Sequence, residues 1–352
     1  MRGLVLDGVD DIAYRTDLAD PSIEAPTDAV VAVRSAGLCG SDLHPYQGRE
    51  PVRFGVVAGH EIVGEVVATG SAVTAFGVGD RVLAAFTTSC GRCAPCRRRL
   101  TARCVRGELF GYGPPDDADV PALHGGQAEL VRVPLADTTL VAVPPALDDA
   151  AAVLLTDNLP TAWSAVERAE PQPDAPVVVV GLGAVGLCAV AVAARTCAPA
   201  VLAVDPVPER LDAAARLGAH CAAPGTAADV LAAIGADEGA GAVIEAAGNR
   251  GAQALASGLV RDGGTLSVIA VQTDPAFGFS PVAAYDHNLT VRFGRASVRA
   301  ALDRMLPDAV ETARTLADVV ITDPDVDLVD GPAAYRRFAH RADGTVKAVF
   351  TP

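Results

Sequence analysis

The sequence predicts an α/β protein, in which a doubly wound parallel sheet of six strands is joined to a β-rich second domain. Three observations carry that prediction. Four consecutive valines, Val177 to Val180, make a strand buried on both faces, and Gly181-Leu182-Gly183-Ala184-Val185-Gly186 follows at once and opens a helix. The next apolar run, Val201-Leu202-Ala203-Val204, ends on Asp205, at about the ~20-residue separation that a dinucleotide-binding βαβ unit requires. Ahead of this alternation the chain consists of short β-branched runs punctuated by Gly and Pro, and its 352 residues exceed one ordinary domain.

From the amino end, Val30-Val31-Ala32-Val33 and Ile62-Val63-Gly64-Glu65-Val66-Val67 read as strands, and Gly77 to Val82 as a turn entering another. Residues 106–122, rich in Gly, Pro and Asp, read as an irregular surface segment, and His124 beyond it as a solvated loop histidine. Leu130 to Pro134 is a strand, and after Pro144-Pro145 the pattern turns helical. Within the parallel sheet, Ala242 to Glu245, Leu266 to Val271 and Leu289 to Phe293 supply further strands, with helices over residues 208–217 and 252–259. The tail carries helices over 298–306 and 333–338 and a last strand, Val346 to Phe350, that is expected to return to the first domain. The expected division is therefore 1–153, then 154–292 for the dinucleotide-binding domain, then 293–352 returning to the first.

Half of the residues are apolar but only 4% are aromatic, a composition suited to closely packed layers. The formal net charge of −15 argues against a nucleic acid or an anionic membrane as partner, because phosphate surfaces are bound by an excess of Lys and Arg. The opening residues lack the basic, apolar and small-residue sections of a signal peptide, which points to the cytoplasm. The uncharged run 175–194 is long enough to span a bilayer, but Pro176, Gly181, Gly183 and Gly186 divide it into a strand and a helix.

Chemistry concentrates in Gly37-Leu38-Cys39-Gly40-Ser41-Asp42-Leu43-His44 and in Gly59-His60-Glu61, which gather a thiol, two imidazoles, two carboxylates and a hydroxyl among small or apolar neighbours. A catalytic zinc uses such groups and keeps one position open, so Cys39 and His60 are candidate ligands. Taken singly, each reads better as a packing cysteine or a satisfied core histidine, and it is their company in the chain that favours a metal. Cys90, Cys93, Cys96 and Cys104 form a second group whose spacing lets four thiolates wrap one tetrahedral ion through the turns at Gly91 and Pro95. Two disulfides would need an oxidising compartment. A four-cysteine site has no vacant position, so it should hold a loop and not catalyse. In the glycine loop, backbone amides at a helix N-terminus suit a pyrophosphate. Asp205 would bond the adenosine ribose and repel a 2′-phosphate, favouring NAD, while Arg210 leaves NADP open.

Together these features resemble the zinc-dependent medium-chain dehydrogenase/reductase family of alcohol dehydrogenase type, over nearly the whole chain; Gly125-Gly126-Gln127-Ala128-Glu129 belongs to the same likeness. The resemblance implies a GroES-like catalytic domain beside a Rossmann domain, two Zn²⁺ per chain, one catalytic and one structural, and NAD. It implies Asp157 as third ligand of the catalytic zinc, in a segment similar to the glutathione-independent formaldehyde dehydrogenase branch. Glu61 would neighbour the metal and Asp42 would orient His60. Ser41 and His44 would relay the alcohol proton, His44 exchanging it with solvent at a suitable pKa. Thr161 would flank the nicotinamide and Lys347 would contact the cofactor. Phe86 and Tyr112 are among the candidate pocket residues. The implied activity is hydride transfer between an alcohol, or its aldehyde or ketone, and NAD, by a homo-oligomer, dimer or tetramer. An epimerase or dismutase with retained NAD, and a non-catalytic nucleotide sensor, are the alternative readings.

Overall fold

The computed structural model describes residues 1–113, 122–340 and 344–352, so residues 114–121 of the stretch read as irregular lie outside the described residues. The chain divides into two compact units, Met1–Asp157 with Ser297–Pro352, and Asn158–Ala296. Among the described residues no helix is long and apolar enough to cross a membrane.

The first unit is built on a seven-stranded sheet in the order Asp323–Asp327, Ala348–Thr351, Ala29–Leu38, Glu61–Thr69, Arg81–Ala84 and Leu140–Ala142, with Leu130–Val133 also paired to Ala29–Leu38. Val31, Val33, Ile62, Val66, Val82 and Phe350 turn into one core with Leu4, Phe110 and Tyr335. Each fully buried large side chain there contributes roughly 1.5–3 kcal/mol. Register matters most at one end of the sheet. Gly37 pairs with Glu61, and Leu38 with Ala348, so the end of one strand and the starts of its two neighbours lie side by side. Cys39, His60 and Lys347, each one residue beyond those strands, are thereby brought to the same sheet end. A smaller sheet joins Asp11–Arg15, Gly3–Gly8 and Val56–Val57.

The second unit holds a six-stranded parallel sheet in the order His220–Ala222, Val201–Val204, Val177–Val180, Ala240–Glu245, Val260–Val268 and Thr290–Phe293. The first and fourth of these in sequence are neighbours, and strand order reverses between them, which is where an open α/β sheet binds its ligand. Five of the six strands are legible as apolar runs. His220–Ala222 is not, because it has three residues and lies at the sheet edge.

The tail departs from expectation. The helix expected to stop before Pro307 runs from Val298 to Val320. Buried Val298, Ala301, Leu302, Met305, Ala309, Thr312, Leu316 and Val320 recur every three or four residues, so one apolar stripe continues across the proline. Burial of that stripe outweighs the backbone bond the proline removes. His124 is an exposed loop residue, as expected, and its Nδ1 accepts the Val57 N–H at 3.1 Å.

Candidate active site

The sheet end described above delivers four donors to one buried place. Cys39 Sγ, one ring nitrogen of His60, and carboxylate oxygens of Glu61 and Asp157 lie within 4.8 Å of one another, and all four residues are buried. Asp157 arrives from the turn that follows the helix Asp149–Val153. The Cys39 thiol is 3.4 Å from Asp157 Oδ2, which is 3.5 Å from His60 Nε2. On the other side of the ring, Asp42 Oδ1 lies 2.9 Å from His60 Nδ1. Asp42 Oδ2 accepts the Cys39 N–H at 2.9 Å, so one carboxylate fixes the posture of both neighbours. Phe86 packs edge-on against the His60 ring, with centroids 6.0 Å apart.

The electrostatics test whether a cation fits. Burial raises the Cys39 thiol, and the charges of Asp157 and Glu61 raise it further. Burial alone would lower His60, but Asp42, Asp157 and Cys39 outweigh it and hold its imidazolium well above the ordinary range. Acidic groups packed this closely therefore demand positive charge at their centre, which a proton meets weakly and a divalent ion meets fully. A thiolate, an imidazole and a carboxylate are zinc's own donor set.

Glu61 is answered separately. Lys347 Nζ lies 2.5 Å from Glu61 Oε2, both side chains fully buried, and it also donates to Leu38 O at 3.4 Å. The Lys347 ammonium thus faces Glu61 inside the first unit. Gly37 makes room for the pair, since a Cβ there would stand 1.8 Å from Glu61 Oε2.

Ser41 Oγ is 3.2 Å from Cys39 Sγ and 3.2 Å from His60 Nε2, and its carbonyl accepts from Tyr112 Oη at 2.9 Å. His44, on the short helix Leu43–Tyr46, is buried. Burial first, and then the charge of Arg49, pushes its pKa down to about 4.

The second cysteine group is equally compact: the sulfurs of Cys90, Cys93, Cys96 and Cys104 lie within 4.8 Å of one another. The Cys90 N–H and the Arg106 N–H both point at Cys104 Sγ, at 3.2 and 3.4 Å. Backbone N–H groups, that of Cys96 first, pull the Cys93 thiol down to about 6, while burial pushes Cys96 up to about 12. A zinc bound among these four sulfurs would deprotonate all of them.

In the second unit, Gly181 has φ +92, and a Cβ there would sit 2.7 Å from that of Ala247. Gly186 lets the helix Ala184–Ala193 close onto the loop, its Cβ position falling 1.8 Å from Gly181 O. Around Gly183 there is no atom within 4 Å of such a Cβ, so the turn between Gly181 and the helix, including Ala184 and Val185, is open to a ligand. Asp205 Oδ2 accepts the Leu182 N–H at 2.7 Å, its Oδ1 accepts the Val207 N–H at 2.9 Å, and Arg210 lies 3.9 Å away. Thr161 is buried on the helix Asn158–Ala169 of the same unit.

Sequence reading missed two residues that this geometry makes prominent, Gln127 and Tyr335. The only signal was an amide standing in a Gly-Gly-Gln-Ala run before a strand.

Comparison with known proteins agrees with this geometry. Residues 25–145 match the alcohol dehydrogenase GroES-like domain family and residues 184–312 the zinc-binding dehydrogenase family. The chain is 38% identical to a Mycobacterium tuberculosis protein named "Probable zinc-binding alcohol dehydrogenase", over 92% of this chain and 81% of the relative. It superposes on the alcohol dehydrogenase of Thermus sp. ATN1 with a TM-score of 0.90 at 34% identity, covering 100% and 99% of the two chains. A Sinorhizobium meliloti protein of the zinc-binding dehydrogenase class, solved bound to NADP, gives 0.82 at 26% identity over 100% and 99%. With a four-residue donor group at one sheet end and a glycine loop at the switch point of a parallel sheet, this chain belongs to the zinc-binding alcohol dehydrogenase family of medium-chain oxidoreductases.

Proposed function

We propose that the chain interconverts an alcohol and its aldehyde or ketone, with NAD as hydride carrier, at a zinc centre held by Cys39, His60 and Asp157. The buried convergence of those three donors carries the reading. Zinc bound there supplies the Lewis acidity that makes an alcohol O–H acidic near neutral pH, and the nicotinamide supplies the hydride acceptor.

The chain's own residues do the rest. One thiolate and one carboxylate offset a divalent charge, and Lys347 offsets Glu61, so Glu61 stays beside the centre as an acceptor. Asp42 holds the His60 ring by Nδ1, which presents Nε2 to the centre. Ser41 Oγ, within reach of two of the donors, relays the alcohol proton, accepting it as its own hydroxyl proton passes on towards His44. Burial and the charge of Arg49 push the His44 imidazole below its ordinary range, which favours its passing a proton on. Cys90, Cys93, Cys96 and Cys104 hold the second, structural zinc.

Gly181, Gly183 and Gly186 admit the pyrophosphate to the N-terminus of Ala184–Ala193, and Thr161 flanks the nicotinamide. The negative charge of Asp205 favours NAD. Arg210 at 3.9 Å, and a relative bound to NADP, favour the second reading. A screen of alcohols and carbonyls, followed at the nicotinamide absorbance with each cofactor, tests both. The expected result is turnover with NAD, and a narrowed NAD to NADP preference in Asp205→Ala. Turnover with NADP alone would reverse the cofactor assignment.

We further propose a cytoplasmic homo-oligomer, dimer or tetramer, joined through the edge strand Thr290–Phe293. Exposed Phe277 and Phe293, with ring centroids 5.4 Å apart, support that edge as the contact. Sedimentation analysis is expected to give more than one chain per particle.

A further inference from the structure

Gln127 is fully buried and touches both backbone segments that carry the metal donors. Its Nε2 donates to Gly37 O at 3.1 Å, two residues before Cys39. Its side chain also walls the turn before His60: Gly59 has φ +90, and a Cβ there would stand 2.4 Å from Gln127 Cγ. The backbone strengthens that second contact, because the Gln127 N–H bonds Ala58 O at 3.0 Å and the Gly126 N–H bonds Gly59 O at 2.9 Å. The far end of the amide is also occupied. Gln127 Oε1 accepts from Tyr335 Oη at 2.8 Å, and Tyr335 is itself buried against Tyr46 and Phe350. A phenol hydroxyl that donates to one end leaves the amide N–H groups to face Gly37, so the tail helix Gly331–Ala339 fixes which way the amide points.

We propose that Gln127 is a positioning residue of the metal centre: it sets the separation of Cys39 and His60, and Tyr335 sets the orientation of Gln127. Lys347 also joins the two donor-bearing segments, at Leu38 and Glu61, whereas Gln127 joins them at Gly37 and Gly59 and reaches the returning tail through Tyr335. The proposal rests on the reading of Cys39 and His60 as ligands. Outer-shell partners of metal ligands typically alter metal retention by about 10–100-fold, and an unbranched apolar side chain of similar size would remove the bonds while keeping the volume.

Zinc release from the loaded protein to a chromophoric chelator tests this without any activity measurement. The wild type is expected to release zinc in two phases, and Cys39→Ala should show only the phase of the four-cysteine site. Gln127→Met is expected to speed the other phase by about 10–100-fold while leaving the four-cysteine phase unchanged. Tyr335→Phe, which keeps the ring and removes one hydroxyl, should shift the same phase in the same direction by less, and it serves if Gln127→Met does not fold. Wild-type release of the catalytic zinc in both variants, or an equal change in both phases, would overturn the proposal. If Cys39→Ala keeps both phases, the ligand reading itself fails, which is a different result.

Discussion

Among single residues, Asp157 and Lys347 separate what the sequence shows from what only folding shows. Both residue types are visible in the sequence, and so is the likeness that implies Asp157 as a ligand. The pairing of Lys347 with Glu61 is not, because it depends on Leu38 lying opposite Ala348 and Gly37 opposite Glu61. For the same reason His44 was legible as an imidazole near the site but not as a buried one held neutral. Lys347→Met should take the neighbouring ammonium from a fully buried carboxylate and cost about 3–5 kcal/mol in denaturant unfolding. Glu61→Gln combined with Lys347→Met should recover most of that loss. Additive losses would show that the pair is not coupled. Asp157→Cys keeps one anionic donor and is expected to retain zinc, whereas Asp157→Ala should lose the catalytic ion, as metal analysis of the two proteins would show.

At the level of elements, strands with β-branched runs and the glycine loop were readable because their periodicity and punctuation are local. The three-residue strand His220–Ala222 and the edge strand Asp323–Asp327 were not, since each is defined by its neighbour and not by its own apolar content. The helix Val298–Val320 was cut short at Pro307 for the opposite reason: a local rule was overridden by a buried stripe that continues past it. Pro307→Ala should therefore restore the missing backbone bond and stabilise the protein by up to about 3 kcal/mol, seen as a higher unfolding midpoint. A lowered midpoint would mean that the proline ring fills space the alanine cannot. In the cysteine loop, Cys93→Ser is expected to remove one zinc per chain and lower the thermal midpoint while the Cys39 centre keeps its ion. Loss of both ions together would make the two centres interdependent.

For the whole molecule, the sheet end of the first unit gathers the metal donors and the switch point of the second prepares a nucleotide loop, each within its own unit. The net charge of −15 suits this small-molecule chemistry, and the protein is expected not to retard a DNA duplex at physiological salt. Everything catalytic in the account depends on a cation held by Cys39, His60 and Asp157, and zinc stoichiometry in wild type and Cys39→Ala, measured beside NAD-linked turnover, tests it most directly. The account predicts two zincs per chain with turnover in the wild type, and one zinc with no turnover in the variant. Two zincs retained by Cys39→Ala, or turnover that survives the loss, would contradict it.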